Sequence, residues 1–385
     1  MTSRKYVLIF LAAVLPLCAL AIYAHLRLPD YRAHPLDLSA LKPQEFILMN
    51  GMTRQQTGNV KIGHMENAPP PAVGVFGNHQ FRYFAEDALK ANGINKSFFN
   101  YWYANLALPD ILDLLTYLEQ IGKLPSELII VQVTSPNNDN GRYIVERSQE
   151  LPDDIVFLSE LHKKETGDTS MFAEMQSLFQ GAINNFRTTF SYSSFLIGIF
   201  YDEKRGRIIS LDDCAEKHAR ASGVWSAIVN RLPQTMRPVL GMTIDNSMFC
   251  DSSYAELMMK DGALRSKDVR QVLKKNVNDL DPQKARISVL DASRIAGYLS
   301  NINDLAKRNG LEAAVVIPPV YETARFSVVD QVFTQAMKQA PGVAYIDDRK
   351  AHDVDAYFVN YDHPSSAYYK ALMAELLKRG LVASH

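Results

Sequence analysis

The chain lacks a charge surplus of either sign: 41 Lys and Arg stand against 42 Asp and Glu, for a formal net charge of −1 over 385 residues. Nothing in that balance can neutralise a phosphate backbone, so nucleic acid is excluded as an expected partner. Cysteine is scarce, at three. Cys18 lies in an apolar run, and Cys214 and Cys250 remain outside it, either as a bridge or as two free thiols. The chain also lacks a Walker loop, a dinucleotide-binding glycine fingerprint, a Cys-x-x-Cys and a His-Glu-x-x-His pattern, and no cofactor is expected. The apolar stretch Ser194 to Tyr201 is far too short to span a bilayer and reads as a core helix.

One long uncharged run does exist, from Tyr6 to Ala24 behind Arg4 and Lys5. As a helix it would be about 28 Å long, close to one hydrocarbon core. Basic residues on its N-terminal side favour Met1 in the cytoplasm. Ala19-Leu20-Ala21 offers the competing reading of a cleaved signal peptide. Both readings carry the rest of the chain out of the cytoplasm: held at the cell membrane by an uncleaved helix, or secreted after cleavage.

Segment 26–71 reads as a linker and packing stretch, punctuated by Pro29, Pro35 and Pro43 and closed by Pro69-Pro70-Pro71. Strands and helices then alternate. Ala72 to Gly77 reads as a buried strand, and Phe81 to Leu89 as a helix ended by Gly93. Ser97 to Leu106 suits a second strand and its loop. Pro109 opens a helix, and Glu127 to Thr134 is a third strand leading into a turn-rich loop with Asn138 and Asn140. Residues 142–285 interrupt this order as a mainly helical insertion. Asp291 reopens it as the cap of a helix closed by Gly310. Next come a strand at Ala313 to Ile317, a helix near Ser327 to Gln339, a strand at Val343 to Ile346 and a last helix after Pro364. Such alternation predicts an α/β fold with a parallel sheet covered on both faces, with the ligand crevice at the carboxyl ends of its strands.

Two short motifs stand at those ends. Gly77-Asn78-His79 follows the first strand, and Asn360-Tyr361-Asp362-His363 precedes the last helix. Their placement resembles the SGNH/GDSL hydrolases, in which a Gly-Asp-Ser turn supplies the nucleophile and an Asp-x-x-His supplies the base and its orienter. The resemblance covers about residues 72–141 and 288–380. It implies a three-layer α/β/α sandwich with a flavodoxin-like parallel sheet at 72–141 and 286–385, the insertion at 142–285, and a membrane helix or signal peptide at 1–25. It also implies His363 as base, with Asn78, Asn138 and Asn140 as oxyanion or binding residues. The series Pro318-Pro319, Val343 to Asp347 and Asp362-His363-Pro364 is most similar to esterases and acyltransferases that decorate exported polysaccharides.

The chain departs from that pattern where the chemistry sits. His79 takes the serine position, Asn360 takes the aspartate position, and no glycine stands near Ala104 to Ala107 where a second motif would place one. An imidazole cannot form the usual acyl-serine, and an amide cannot stabilise an imidazolium as a carboxylate does. The template triad loses about 10⁴ in turnover from such an Asp-to-Asn change. The resemblance therefore implies a degenerate triad in a binding or accessory protein of glycan acylation. Its partners would be an acylated glycan or small acyl ester, the membrane through the N-terminal helix, and proteins of a polysaccharide-modification system. Two alternatives stay open. One is an active esterase or O-acyltransferase in which His363, oriented by Asp362 or Asp355, works with a substitute nucleophile such as His79. The other is a metal-dependent hydrolase at the loop 352–363, where His352, Asp353, Asp355, Asp362 and His363 crowd together.

Overall fold

The computed structural model describes residues 12, 15–16, 18–19, 22–23, 31–35, 45–47, 54–81, 84–103, 106–133, 151–165, 208–210, 292–319, 327–358 and 364–383. The chain divides into two compact units, one of Met1–Ala68 with Thr169–Ala255 and one of Pro69–Asp168 with Glu256–His385.

In the first unit, strand β1 (Glu45–Ile47) pairs antiparallel with a second three-residue strand, Ile208–Ser210. Helix α1 (Arg54–Asn67) lies within the segment read as a linker, where its many polar residues hide an apolar pattern. Arg32 anchors it by an ion pair to Glu66. No helix among the described residues is long and apolar enough to cross a membrane. Of the run Tyr6 to Ala24, only Ala12, Leu15, Pro16, Cys18, Ala19, Ile22 and Tyr23 are described; they are helical, and Leu15, Ile22 and Tyr23 are exposed. Cys214 and Cys250 lie outside the described residues.

The second unit is an α/β domain. Its strands are β2 (Val73–Phe76), β3 (Phe98–Asn100), β4 (Leu128–Gln132), β6 (Glu312–Ile317) and β7 (Ala344–Asp347), with β5 the Ile208–Ser210 strand of the first unit. All pairs are parallel, in the order β3-β2-β4-β6-β7. Within this sheet the sequence order is therefore 2-1-3-4-5, and the winding direction reverses between β2 and β4. In open parallel sheets that reversal opens a crevice beyond the carboxyl ends of the two strands. Every residue of β2 and β4 is buried, as expected when both faces are covered.

Helix signals in the sequence translate directly into the helices on this sheet. Between β2 and β3 lies the short α2 (Asp87–Lys90), and between β3 and β4 lies α3 (Leu108–Gln120). In α3, Pro109 stands in the first turn, Asp110 accepts from the Ala107 N–H, and Ile111, Leu114, Leu115 and Leu118 are buried. After α4 (Asp153–Glu165), α5 (Ala292–Arg308) buries Ile295, Leu299, Ile302 and Leu305. It ends where Gly310 takes φ +69° and lets Leu311 N–H reach back to Ala306 O. Helices α6 (Ser327–Gln339) and α7 (Ser366–Lys378) complete the domain. Tyr368, Tyr369, Leu372, Met373 and Leu376 of α7 join Val73, Val75, Leu128, Ile130, Ala314, Val316 and Ile346 in one core cluster. Each such fully buried large side chain contributes roughly 1.5–3 kcal/mol.

One helix came out otherwise than its pattern predicted. Among the described residues of the stretch Phe81 to Leu89, Phe81 ends a 3-10 turn (His79–Phe81) and the helix is only the four-residue α2. The Asn100 side chain ties this stretch down. Its Nδ2 donates to both Phe81 O and Phe84 O, 2.7 and 2.9 Å away, and Phe81 O also accepts the tight turn bond of Phe84 N–H.

Candidate functional site

The turn after β2 is built against the end of β4. Gly77 has no room for a side chain, since a Cβ there would lie 2.8 Å from Gln132 Cβ and closer still to Gln132 Oε1. That closeness lets Asn78 N–H donate to Gln132 Oε1 at 3.0 Å. Asn78 Oδ1 in turn accepts from Gln80 N–H at 3.0 Å, an Asx turn that starts the 3-10 winding, and Phe81 N–H closes it on Asn78 O. Gln132 Nε2 donates to Asn78 Oδ1 at 3.0 Å and to Gln80 Oε1 at 2.6 Å. Asn78, Gln80 and Gln132 are 5%, 0% and 3% exposed, so this three-amide cluster is interior, at the reversal between β2 and β4.

Asn78 thus has its backbone N–H and its side-chain oxygen engaged inside the protein. It shapes the turn that His79 opens. The imidazole of His79 itself lies outside the described residues.

The far end of the chain reaches the same turn. Tyr369 Oη, from the first turns of α7, donates to Gln80 O. Its ring stacks on Phe84 at 4.8 Å and meets Phe81 edge-on at 5.7 Å. The residue next to His79 and the helix that begins just after His363 are therefore in direct contact, 289 positions apart in sequence. Asn360, Asp362 and His363 lie outside the described residues, but both ends of their segment are fixed. Phe358 and Pro364 form a β-bridge across it, and Ser365 donates from its N–H to Tyr357 O and from its Oγ to Ala356 O, at 2.8 and 2.6 Å. Asn138 and Asn140, which follow β4 in the sequence, also lie outside the described residues.

Two neighbouring acids at the end of β7 have opposite electrostatics. Burial acts to raise the Asp347 carboxyl, but the bonds and charge of Arg349 outweigh it and hold it below the usual range. Arg349 grips both oxygens, Nε to Oδ1 at 2.7 Å and Nη2 to Oδ2 at 2.6 Å. Burial pushes Asp348 up, against the pull of a 3.0 Å bond from Tyr368 Oη, with the charge of Asp347 adding to the rise. Tyr368, wholly buried beside that acid, has its hydroxyl raised well above its ordinary range, first by burial and then by the charge of Asp348.

The 3-10 turns Arg349–Asp353 and Asp355–Tyr357 carry the acidic loop read as a metal alternative. Among the described residues no group of three or more His, Cys, Asp or Glu side chains could hold a metal, and the side chains of His352, Asp353 and Asp355 lie outside that set.

Sequence reading missed Gln80, Asn100, Gln132 and Tyr369. Gln132 was the one with a visible signal, as a lone amide in the buried run Ile129-Ile130-Val131-Gln132-Val133. The chain matches no protein-family model and none of the curated proteins compared with it.

Proposed function

We propose that this is an SGNH-hydrolase-like protein, a three-layer α/β/α sandwich that recognises acyl groups on cell-surface or exported glycans through a degenerate site rather than by serine chemistry. The observation that carries the reading is the Tyr369–Gln80 bond, which joins the turn opened by His79 to the helix led in by His363. An order of 2-1-3-4-5, with the Gly77-Asn78-His79 turn at its reversal point, supports it at the level of fold. Asn78, with its polar groups engaged by Gln80 and Gln132, fits a scaffold kept for shape. The reading also includes a membrane-bound N-terminus, favoured by the exposed apolar Leu15, Ile22 and Tyr23 on helical residues.

The test is catalytic. The purified protein should hydrolyse acetyl esters negligibly and resist labelling by serine-directed fluorophosphonates. His79→Ser alone should restore little, because Asn360 still leaves His363 without a carboxylate orienter. His79→Ser with Asn360→Asp should recover measurable turnover. Strong wild-type esterase activity that disappears in His79→Ala would overturn the reading and make His79 a working catalytic residue.

A further inference from the structure

We infer that Gln80 is a ligand-binding donor of this crevice and that it takes the uncharged carbonyl oxygen of an acyl group. Gln80 Nε2 is buried and has no hydrogen-bond partner, while Oε1 and the backbone N–H and C=O of the same residue are all bonded. Reversing the amide does not supply a partner, because two backbone donors lock the cluster's orientation. Asn78 N–H requires an oxygen at Gln132 Oε1, so the atom that Gln132 turns toward Gln80 is Nε2. Gln80 must then present Oε1 to it. Asn78 Oδ1 is fixed as an acceptor in the same way by Gln80 N–H. The free end of the Gln80 amide is therefore a donor by construction. Buried donors are rarely left unmade in native structures, and each such group calls for an explanation.

The chemistry of the cluster narrows what meets it. Asn78 Oδ1 accepts two bonds and is filled, Gln132 Oε1 and Gln80 Oε1 each accept one, and the unmet need at Gln80 Nε2 is for an acceptor. A carbonyl is acceptor only. The rings of Phe81, Phe84 and Tyr369 pack beside the turn, and desolvating a carboxylate against them costs far more than desolvating a neutral carbonyl. The donor is closed to solvent, so a ligand oxygen reaches it only as the covering side chains part.

This inference rests on the acyl-recognition reading, and the experiment separates the two. Full-length protein in mild detergent is titrated with an O-acetylated cello-oligosaccharide and with its deacetylated counterpart. Wild type should prefer the acetylated probe. Gln80→Met should weaken binding of that probe by roughly tenfold or more, to the level of the deacetylated one. Hydrogen-exchange protection of the β4 amides should change little, because the substitution removes one unpaired donor and frees one Gln132 N–H in its place. Wild-type preference that Gln80→Met leaves intact would sink the role of Gln80 and spare the acyl reading. Equal binding of both probes by wild type would sink both. Should Gln80→Met fail to fold, a high-resolution structure of the wild-type complex decides. A probe carbonyl oxygen within about 3.2 Å of Nε2 supports the inference, and a water retained there with the probe bound overturns it.

Discussion

Replacing Gln132 by leucine tests the core of the site, because the side chain keeps its approximate volume and loses every polar bond. Among the described residues three bonds disappear: the one accepted from Asn78 N–H and the two donated to Asn78 Oδ1 and Gln80 Oε1. Asn78 Oδ1 keeps Gln80 N–H as a partner, so two groups are newly orphaned, Asn78 N–H and Gln80 Oε1. Each buried orphan costs about 1–3 kcal/mol, which gives about 4 kcal/mol at the midpoint, offset by about 1 kcal/mol of apolar burial. A net loss of about 3 kcal/mol is expected. Because the chain has two units, a single melting curve is a poor measure. Hydrogen exchange of the β4 amides, Leu128 to Gln132, reads the sheet unit directly, and their protection should fall by about two orders of magnitude. Gln132→Glu is the sharper companion. It retains an oxygen for Asn78 N–H, but only its protonated form can donate to Gln80. Burial raises the pKa of the introduced acid, so its stability is greatest below the unfolded carboxyl value of about 4.3 and is lost as pH rises through the folded value. Protection of β4 unchanged in Gln132→Leu, or a Gln132→Glu protein equally stable at acid and neutral pH, would refute the argument that the amide cluster holds this turn.

Gly77→Ala should destabilise the sheet unit by about 1–3 kcal/mol, measured by the same exchange, since its Cβ would meet the Cβ of a strand residue that cannot rotate away. The adjacent acids should respond oppositely to neutralisation, measured by the same exchange at two pH values. The contribution of Asp347, whose carboxyl is held low by Arg349 despite burial, is present above the unfolded value of about 3.9 and lost as pH falls through the folded one, so Asp347→Asn should cost stability at neutral pH and little at pH 2. Asp348, raised by burial, favours the folded state only while protonated, and that advantage is lost as pH rises. Asp348→Asn should therefore gain stability at neutral pH, with an amide oxygen still accepting from Tyr368.

Much of the domain's scaffold was legible in the sequence because periodic burial is a local property. A strand covered on both faces must be apolar throughout, and Val73 to Phe76 and Leu128 to Val131 are. The helices at 108–120, 292–308, 327–339 and 366–378 announce themselves through three-to-four spacing and their caps, and the structure places them within a residue or two of expectation. The strand expected at Val343 to Ile346 runs from Ala344 to Asp347, an end shift of one residue. The sequence by itself also put Gly77, Asn78 and His79 at the carboxyl end of a strand.

What only the tertiary structure decided is how those ends are held together. Gln132, Asn100 and Tyr369 stand 54, 19 and 289 positions from the turn residues that they bind, and no local window relates them. The stretch Phe81 to Leu89 shows the same limit, for its apolar spacing is genuine, yet a distant asparagine binds the carbonyls of Phe81 and Phe84. A side chain that serves the backbone of another segment leaves a mark in the sequence only when its polarity breaks an apolar run, as Gln132 does. Gln80 shows the limit most plainly. Its sequence context is that of any loop amide, and its unpaired donor exists only because the backbone N–H groups of Asn78 and of Gln80 itself fix which way the amides of Asn78 and of the distant Gln132 face.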